Sequence, residues 1–391
     1  MAAAQGGLPA LGPTLQHAFG LSLVEVTGVF TAFGAGTVLT VYAWGALVDR
    51  VGERAVLAIG PALGGVALST VVLAEGYVAL LAGVFAAGLF AAAATSGSGR
   101  AVFGWFPRSE RGLALGLRQT SVQLGTAAGS FTLPTLAAVF SLDVALLALS
   151  AGLVLSSVIA AIWLRDPPAR QSAAPPSPPA ARDPRIWRLG VASALLIVGQ
   201  IGLTSLLVLY LYSERGWSAT EAALALGFVQ LGGAAARVIA GRWSDVRDER
   251  IAPFRWLAAG AGALLLAAAA LASAPDAVLV PLLMGGGVLA MSWNGLSFTA
   301  AAEISGGAQA GRAMGMQNTL MRSAGAVVPV ALGVLAAHGS WRAAFVVMGV
   351  APLLGRAVLG PLVDDEDERR RAREARLRAR SSPSPSAPPL R

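Results

Sequence analysis

Long apolar runs recur along the chain, and short polar segments separate them. An α-helix needs about 20 predominantly apolar residues to cross the hydrocarbon core of a bilayer. The pattern therefore predicts eleven membrane-spanning helices. They are expected at 23–48, 55–74, 77–104, 112–140, 143–164, 188–212, 219–241, 255–274, 276–302, 311–337 and 341–362.

Residues 1–19 are also apolar, but Pro9 and Pro13 interrupt them and they are too few to cross a bilayer comfortably. They lack the positively charged start of a signal peptide. We expect them to form the outer half of a first span whose beginning is absent from this chain. Two explanations stay open: a start codon assigned too late, or a protein that lacks half a helix.

Two segments break the apolar pattern. Residues 165–187 are rich in Pro, Ala and Ser, which predicts an exposed linker between an N-terminal bundle at 1–164 and a C-terminal bundle at 188–363. Each bundle has six spans when the partial first span is counted. Residues 364–391 begin acidic, become arginine-rich and end in Ser and Pro, so we expect a tail with a short helix followed by disorder.

The composition narrows the functional class. The chain is 55% hydrophobic and 13% charged, with a mean hydropathy of +0.66, whereas soluble domains are about a quarter charged. A soluble enzyme, a disulfide scaffold and a disordered protein are excluded as the main body. With no cysteine and two histidines, His17 and His338, we expect no metal site and no cofactor. The sequence offers no nucleophile–base pair and no phosphate loop, so we do not expect an enzyme.

The charge distribution predicts the orientation. The basic residues number 29, all of them arginines, and they concentrate in alternate loops. These are Arg50 and Arg54, Arg108 and Arg111, the run from Arg165 to Arg188, the run from Arg242 to Arg255, and the tail from Arg369. Cytoplasmic loops carry an excess of Lys and Arg, so these loops and the C-terminus are expected in the cytoplasm of a bacterium, with the chain in its inner membrane. A nucleic-acid partner is excluded, because a DNA-binding patch would have no reason to alternate with apolar spans.

Two short motifs recur in the second half of the chain. The segment 45–54 reads Gly-Ala-Leu-Val-Asp-Arg-Val-Gly-Glu-Arg. It is matched by 241–247, Gly-Arg-Trp-Ser-Asp-Val-Arg, which follows the span at 219–241, the eighth when the partial first span is counted. The segment 116–120, Gly-Leu-Arg-Gln-Thr, is matched by 315–319, Gly-Met-Gln-Asn-Thr. The two offsets, 196 and 199 residues, are nearly equal and indicate a duplication.

The run 45–54 resembles the loop motif of the major facilitator superfamily, and the copy at 241–247 stands where that family repeats it. The resemblance implies an all-α polytopic membrane protein with two six-helix bundles, related by a pseudo-two-fold repeat around a central cavity. It also implies alternating access by rocking of the bundles. Trp105-Phe106-Pro107, followed by Arg111, Gly112 and Gly116, is similar to anion-carrying branches of the family, including the anion:cation symporters.

The resemblance further implies a conformational latch at the loop motif. In the family the aspartate, here Asp49, contacts the start of the eleventh span near Gly311, where a carboxylate at a helix N-terminus contributes about 0.3–1 kcal/mol. Gly45 and Gly52 are expected to allow close helix approach and a sharp turn. A loop whose arginines only fix orientation is the alternative. The predicted latch residues are Gly45, Asp49, Arg50, Gly52, Arg54, Gly241, Asp245 and Arg247.

Among the arginines inside predicted spans, the candidates are Arg100, Arg118, Arg237 and Arg322, whereas no Asp or Glu lies at comparable depth. Ionisable groups in a membrane are costly and usually mark function, and guanidinium binds carboxylate or phosphate bidentately. The cavity is therefore predicted to bind an anion. The alternative is that some of these arginines snorkel to the interface or serve as latch partners.

Neutral polar side chains on spans that the family uses around its cavity complete the predicted site. Each of them taken singly is also explained by a hydrogen bond between packed helices. The candidate substrate-binding residues are Arg118, Gln119, Gln123, Gln200, Gln230, Arg237, Trp293, Asn294, Asn318 and Arg322. Arg237 stands where nitrate/nitrite-type relatives place a substrate arginine, but Val41 replaces their second arginine, which disfavours nitrate itself.

The sequence thus predicts a monomeric transporter, secondary active or facilitative, that moves a small organic or inorganic anion across a lipid bilayer. A multidrug or amphipathic-compound efflux antiporter is one alternative, and it would need an acidic cavity. A non-transporting, receptor-like member is the other, to be tested by deleting the residues after Asp364. No titratable carboxylate or histidine for proton coupling is visible in the spans. Either the missing half helix carried that group, or the protein is a uniporter or exchanger.

Overall fold

The computed structural model describes residues 2–105, 111–166, 183–305 and 310–381, with the backbone alone at 99–104, 111–116, 310 and 372–381. Within these ranges the chain is helical and contains no β-strand. The helices are α1 (Ala2–Ala10), α2 (Gly12–Phe19), α3 (Leu23–Val51), α4 (Glu53–Ser69), α5 (Tyr77–Trp105), α6 (Arg111–Val139), α7 (Leu142–Trp163), α8 (Pro184–Arg215), α9 (Ala219–Arg247), α10 (Ile251–Ala270), α11 (Asp276–Ser292), α12 (Asn294–Ile304), α13 (Ala310–His338), α14 (Trp341–Val358) and α15 (Gly360–Ser381).

Ten helical segments in the described part of the chain are long and apolar enough to cross a membrane. They correspond to ten of the eleven predicted spans, and the segment Asp276–Ile304 combines α11 and α12. The predicted span at 112–140 is not among them, although α6 is 29 residues long. Arg118, Gln119 and Gln123 lower its hydropathy, and α6 packs inside the protein against α1, α7 and α9.

The observed helix bounds correct the predicted segment boundaries at two places. Helix α8 begins at Pro184, inside the segment predicted as linker, because the Asp183 side chain accepts a hydrogen bond from the Arg185 backbone N–H at 2.9 Å and caps the helix. The same arginine's guanidinium holds the pKa of Asp183 below its usual value. Helix α14 ends at Val358, and α15 then runs for 22 residues, so the tail helix is longer than expected.

The N-terminal residues form two short helices, α1 and α2, that meet at Leu11. Helix α1 lies against α6 at very short range: a Cβ placed on Gly6 would stand 2.0 Å from a Thr126 side-chain atom, and one on Gly7 would stand 2.4 Å from Leu133. Glycine is therefore required at both positions for this approach. Leu11 is fully buried, so the segment is part of the core.

The helices form two bundles with a cavity between them. Helices α1 to α7 pack together, as do α8 to α14, and the bundles meet mainly where α3 contacts α13 and α6 contacts α9. We call the end that carries Asp49, Arg242, Arg250 and the start of α13 the arginine-rich end. Its counterpart, which carries the start of α3 and the end of α13, is the opposite end.

Two contacts between the bundles lie toward the opposite end. Thr31 Oγ1 accepts a hydrogen bond from the Val330 backbone N–H at 3.1 Å. The Phe131 and Phe228 rings meet edge to face with their centroids 5.5 Å apart. These contacts close the cavity at the opposite end, and its lining extends to the arginine-rich end, where Asp49 lies.

Helix α15 docks on the loop between α9 and α10. The Glu366 carboxylate accepts hydrogen bonds from the backbone N–H groups of Arg250 at 2.5 Å and Ile251 at 3.0 Å, and thereby caps α10. Arg370 pairs with Glu249 at 2.5 Å. Burial raises the pKa of Glu366, and the two backbone N–H donors oppose that rise.

Candidate functional site

The cavity between the bundles has a volume of about 2330 Å³. Among the described residues that line it, the carboxylates are Asp49, Asp245 and Glu303, which all lie near the arginine-rich ends of their helices. Deeper in the cavity, the charged lining residues of the described chain are arginines, namely Arg118, Arg237 and Arg322. This distribution gives the depth of the cavity a positive potential.

Arg118 and Arg322 converge on one threonine, although they belong to different bundles. Arg118 on α6 donates to the Thr95 carbonyl oxygen at 3.1 Å and to Ser98 Oγ at 2.9 Å. Arg322 on α13 donates to Thr95 Oγ1 at 3.4 Å and to Asn318 Oδ1 at 3.3 Å. The bonds of Arg322 exceed the usual range of 2.7–3.2 Å, so its guanidinium is weakly held.

Arg237 on α9 is 6% exposed, and neutral oxygens surround it. One terminal nitrogen donates to the Gln119 carbonyl oxygen at 2.7 Å and to Gln123 Oε1 at 2.8 Å. The other donates to the Met291 carbonyl oxygen and to Asn294 Oδ1, both at 2.6 Å. Four of the five guanidinium N–H groups are thus engaged, and the buried Nε–H has no partner in the described chain.

A break between α11 and α12 explains part of this arrangement. Helix α11 ends at Ser292, which leaves the Met291 carbonyl oxygen among the four that lack a partner at a helix C-terminus. Arg237 supplies that partner and links the broken helix to α6 in the other bundle. The side chain therefore joins α9, α11, α12 and α6 at one point.

Trp293, at this break, lies away from the cavity, which corrects its prediction as a substrate-binding residue. Its indole ring is fully buried and stacks on Phe254 with centroids 5.3 Å apart. The helix break turns the side chain into the core of the C-terminal bundle.

The other predicted neutral residues line the cavity: Gln119, Gln123, Gln200, Gln230, Asn294 and Asn318. Gln230 donates to Thr204 Oγ1 at 3.4 Å, and the buried Gln200 Oε1 has no partner among the described residues. The Arg100 side chain lies outside the described part.

Sequence reasoning missed Thr95 and Ser98, the residues that position Arg118. A signal was present, because residues 95–98 read Thr-Ser-Gly-Ser in the last third of a largely apolar span. Ser96, in the same run, donates to the Val41 carbonyl oxygen at 3.0 Å and so joins α5 to α3.

The first loop motif holds α4 onto α7 within the N-terminal bundle. Gly52 has a φ of 87°, and a Cβ there would stand 2.7 Å from Asp166 Oδ1. That oxygen accepts a hydrogen bond from the Arg54 backbone N–H at 2.9 Å, and the Arg54 guanidinium donates twice to the Ala161 carbonyl oxygen. Glycine is required at position 52 because of the positive φ and because a side chain would collide with Asp166, in agreement with the predicted sharp turn.

The remaining residues of this motif lie at the arginine-rich end. Asp49 and Arg50 are exposed. Gly45 lines the cavity, and a Cβ there would have no neighbour within 4 Å. The close helix approach expected at Gly45 is therefore not present in this conformation, because the bundles are apart at this end.

The second motif copy makes its described contacts inside the C-terminal bundle. Arg250 pairs with Asp245 at 2.6 Å and with Glu303 at 3.0 Å, which ties α9 and α12 to the start of α10. Arg247 lies over the Trp243 ring, 5.3 Å from its centroid. Gly241, like Gly45, has open space around it.

The segment that resembles the anion-carrying branches is described only in part. Phe106, Pro107 and the side chain of Arg111 lie outside the described residues, and Gly112 and Gly116 are described only as backbone of α6. Trp105 donates from its indole nitrogen to the Arg165 carbonyl oxygen at 3.2 Å, which joins the end of α5 to the end of the N-terminal bundle.

Known proteins share both the sequence pattern and the fold. The family profile described as Major Facilitator Superfamily matches residues 1–329. An uncharacterised MFS-type transporter of Mycobacterium tuberculosis is 35% identical over 352 residues, which cover 89% of this chain and 79% of that protein. A probable nitrate/nitrite transporter of the same species is 31% identical over 179 residues, 44% of each chain.

The fold is similar to that of a solved transporter structure. A bacterial homologue of the human lysosomal transporter Spinster, in an inward-facing and occupied conformation, superimposes with a TM-score of 0.74 over 92% of both chains, at 14% identity. The predicted all-helical facilitator fold is thereby confirmed. With the family match over most of its length, this chain belongs to the major facilitator superfamily and is a multi-pass membrane protein.

Proposed function

We propose that this protein transports a small anion across the bacterial inner membrane by alternating access. The observation that carries the proposal is the convergence of Arg118 and Arg322 on Thr95, deep in a cavity whose described carboxylates all lie near its arginine-rich end. Two guanidinium groups without an acidic neighbour attract an anion and repel the cationic substrates of a drug-efflux antiporter.

The hydrogen bonds suggest different roles for the three arginines. Arg322 can exchange its two long bonds for shorter, charge-assisted bonds to a carboxylate or oxyanion at little cost. Arg118 adds a second positive charge from the other bundle. Arg237 keeps four donors occupied by the protein, so we assign it a positioning role for Gln119, Gln123 and Asn294.

The orientation follows from the arginine-rich loops. If these face the cytoplasm, the cavity is open to the cytoplasm and the C-terminus lies on that side. The partial similarity to a probable nitrate/nitrite transporter supports an anion as substrate. Nitrate itself is not proposed, because Val41 lines the cavity where the nitrate-type pattern has an arginine.

Ligand-dependent thermal unfolding of the detergent-purified protein tests the anion proposal. We expect sulfate or a small carboxylate to raise the free energy of unfolding by about 2.7 kcal/mol at a hundredfold excess over its Kd. Chloride at matched ionic strength serves as the control. Stabilisation by tetraphenylphosphonium, a lipophilic cation, and by none of the anions would overturn the proposal in favour of efflux.

The latch is part of the same proposal. Asp49 on α3 and Gly311 at the start of α13 line the cavity from opposite bundles, at its open, arginine-rich end. Closure of that end would bring the carboxylate toward the positive N-terminus of α13 and stabilise the outward-open state.

Asp49→Asn is therefore expected to lower the transport rate about two- to fivefold, while substrate Kd changes little. Initial rates in proteoliposomes, measured over a range of substrate concentrations, separate the two effects. Glu75→Gln, at an exposed carboxylate near the opposite end, is the matched control. An unchanged maximal rate for Asp49→Asn would remove the latch from the mechanism.

A further inference from the structure

The space next to Arg322 is enclosed by apolar side chains. One helical turn beyond Arg322, Ala326 touches Gly34 on α3, with 3.1 Å between the Ala326 Cα and a Cβ built on Gly34. Phe33, beside Gly34, lines the cavity and is 6% exposed. This contact lies one helical turn from Arg322 toward the closed end of the cavity, whereas the guanidinium extends the other way, to Asn318 Oδ1 and Thr95 Oγ1.

Helix α8 continues the apolar wall on the adjacent side. A Cβ built on Gly325, three residues after Arg322, would lie 3.4 Å from Ile197 and 3.5 Å from Ile201. Both isoleucines line the cavity, and Met321, next to Arg322, lines it as well. Arg322 is thus a cationic group near a surface built mainly from Phe, Ile, Met and small residues, with Gln200 as the polar side chain between the two isoleucines.

An inorganic anion would use only part of this arrangement. Nitrate or sulfate can accept the hydrogen bonds of Arg118 and Arg322, but it gains nothing from apolar walls. A carboxylate with an apolar body gains from both, because each buried methylene contributes about 0.8 kcal/mol. The same combination of a few polar groups in an otherwise apolar concavity is typical of sites for small organic ligands.

We infer that the substrate is an amphipathic organic monocarboxylate, whose carboxylate binds Arg118 and Arg322 and whose apolar body packs between α3, α8 and α13. The inference rests on the proposed anion transport and narrows its substrate class. It separates the molecule from carriers of inorganic anions, which would leave this wall without a complementary surface.

A homologous series of carboxylates tests the inference. Acetate, propionate, butyrate, pentanoate and hexanoate are titrated against the full-length protein in nanodiscs, with nitrate and sulfate alongside. We expect Kd to fall about three- to fourfold per added methylene. Hexylammonium has the same apolar body and the opposite charge, and it should not bind.

The possible outcomes separate this inference from the proposed function. The inference alone would be overturned if the carboxylates bind with the same affinity at every chain length. It would also be overturned if nitrate or sulfate binds more tightly than hexanoate. Binding by none of the carboxylates, nitrate or sulfate would overturn both proposals. Hexylammonium binding as tightly as hexanoate would show that Arg118 and Arg322 do not recognise the charge.

A pair of variants locates the apolar body. Ile201→Thr keeps the β-branch of a half-buried side chain but replaces its ethyl group by a hydroxyl group, so it should flatten the dependence on chain length while acetate binding stays unchanged. Ile159→Thr makes the same change on the cavity wall near the arginine-rich end and should leave the dependence intact. Equal effects of the two variants would contradict the proposed position.

Discussion

Replacing Arg322 by glutamine is expected to weaken anion binding by about 10- to 100-fold. A hydrogen bond to a charged group contributes about 1.5–3 kcal/mol, and glutamine loses both the charge and the bidentate geometry. Calorimetric titration of the purified variant with hexanoate and sulfate measures the change. Transport at substrate concentrations well below Kd should fall by the same factor.

Two further variants identify the cause. Arg322→Lys keeps the charge without the planar fork and should recover only part of the affinity. Arg342→Gln removes an exposed arginine at the opposite end and should bind anions as the unmodified protein does. If Arg322→Gln binds with unchanged affinity, the guanidinium is not a substrate ligand and Arg118 alone would have to explain selectivity.

Arg237→Gln is expected to destabilise the folded protein by about 2–4 kcal/mol, since it withdraws four hydrogen bonds from buried acceptors. The Met291 carbonyl oxygen at the end of α11 and the Gln123 side chain would lose their donors. Thermal unfolding without added ligand measures this loss.

The control for Arg237 lies on the same helix. Arg242 is exposed at the arginine-rich end, and Arg242→Gln should change stability by less than about 0.5 kcal/mol. If Arg237→Gln instead keeps its stability and loses only anion binding, Arg237 is a ligand and our assignment of a positioning role is wrong.

The sequence predicted the bundles well because apolar length and motif repetition are local signals. Ten of the eleven expected spans meet the criteria for crossing a membrane. The span that does not, in α6, is the one that carries Arg118, Gln119 and Gln123. These polar residues line the cavity, and they also lower the mean hydropathy by which a membrane-spanning helix is recognised.

The site was less predictable because hydrogen-bond partners come from distant parts of the chain. Depth along a span identified Arg118, Arg237 and Arg322 as a group. It could not show that the Arg237 guanidinium is enclosed by four carbonyl oxygens whereas the Arg322 guanidinium makes only long hydrogen bonds. The position of Trp293 depends on the break between α11 and α12, which no proline or charge marks in the sequence.

The docked C-terminal helix affects how the chain can be shortened. Cutting after Asp364 removes Glu366 together with the arginines, so a truncated protein would lose the carboxylate that caps α10 along with the basic segment. Loss of transport would then have two causes, and a role in binding a partner would be confused with a damaged helix end. Trimming after Arg371 retains the cap, whereas Glu366→Gln perturbs it with the tail in place. A fusion partner attached beyond Ser381 leaves both the cap and the Arg370–Glu249 ion pair undisturbed.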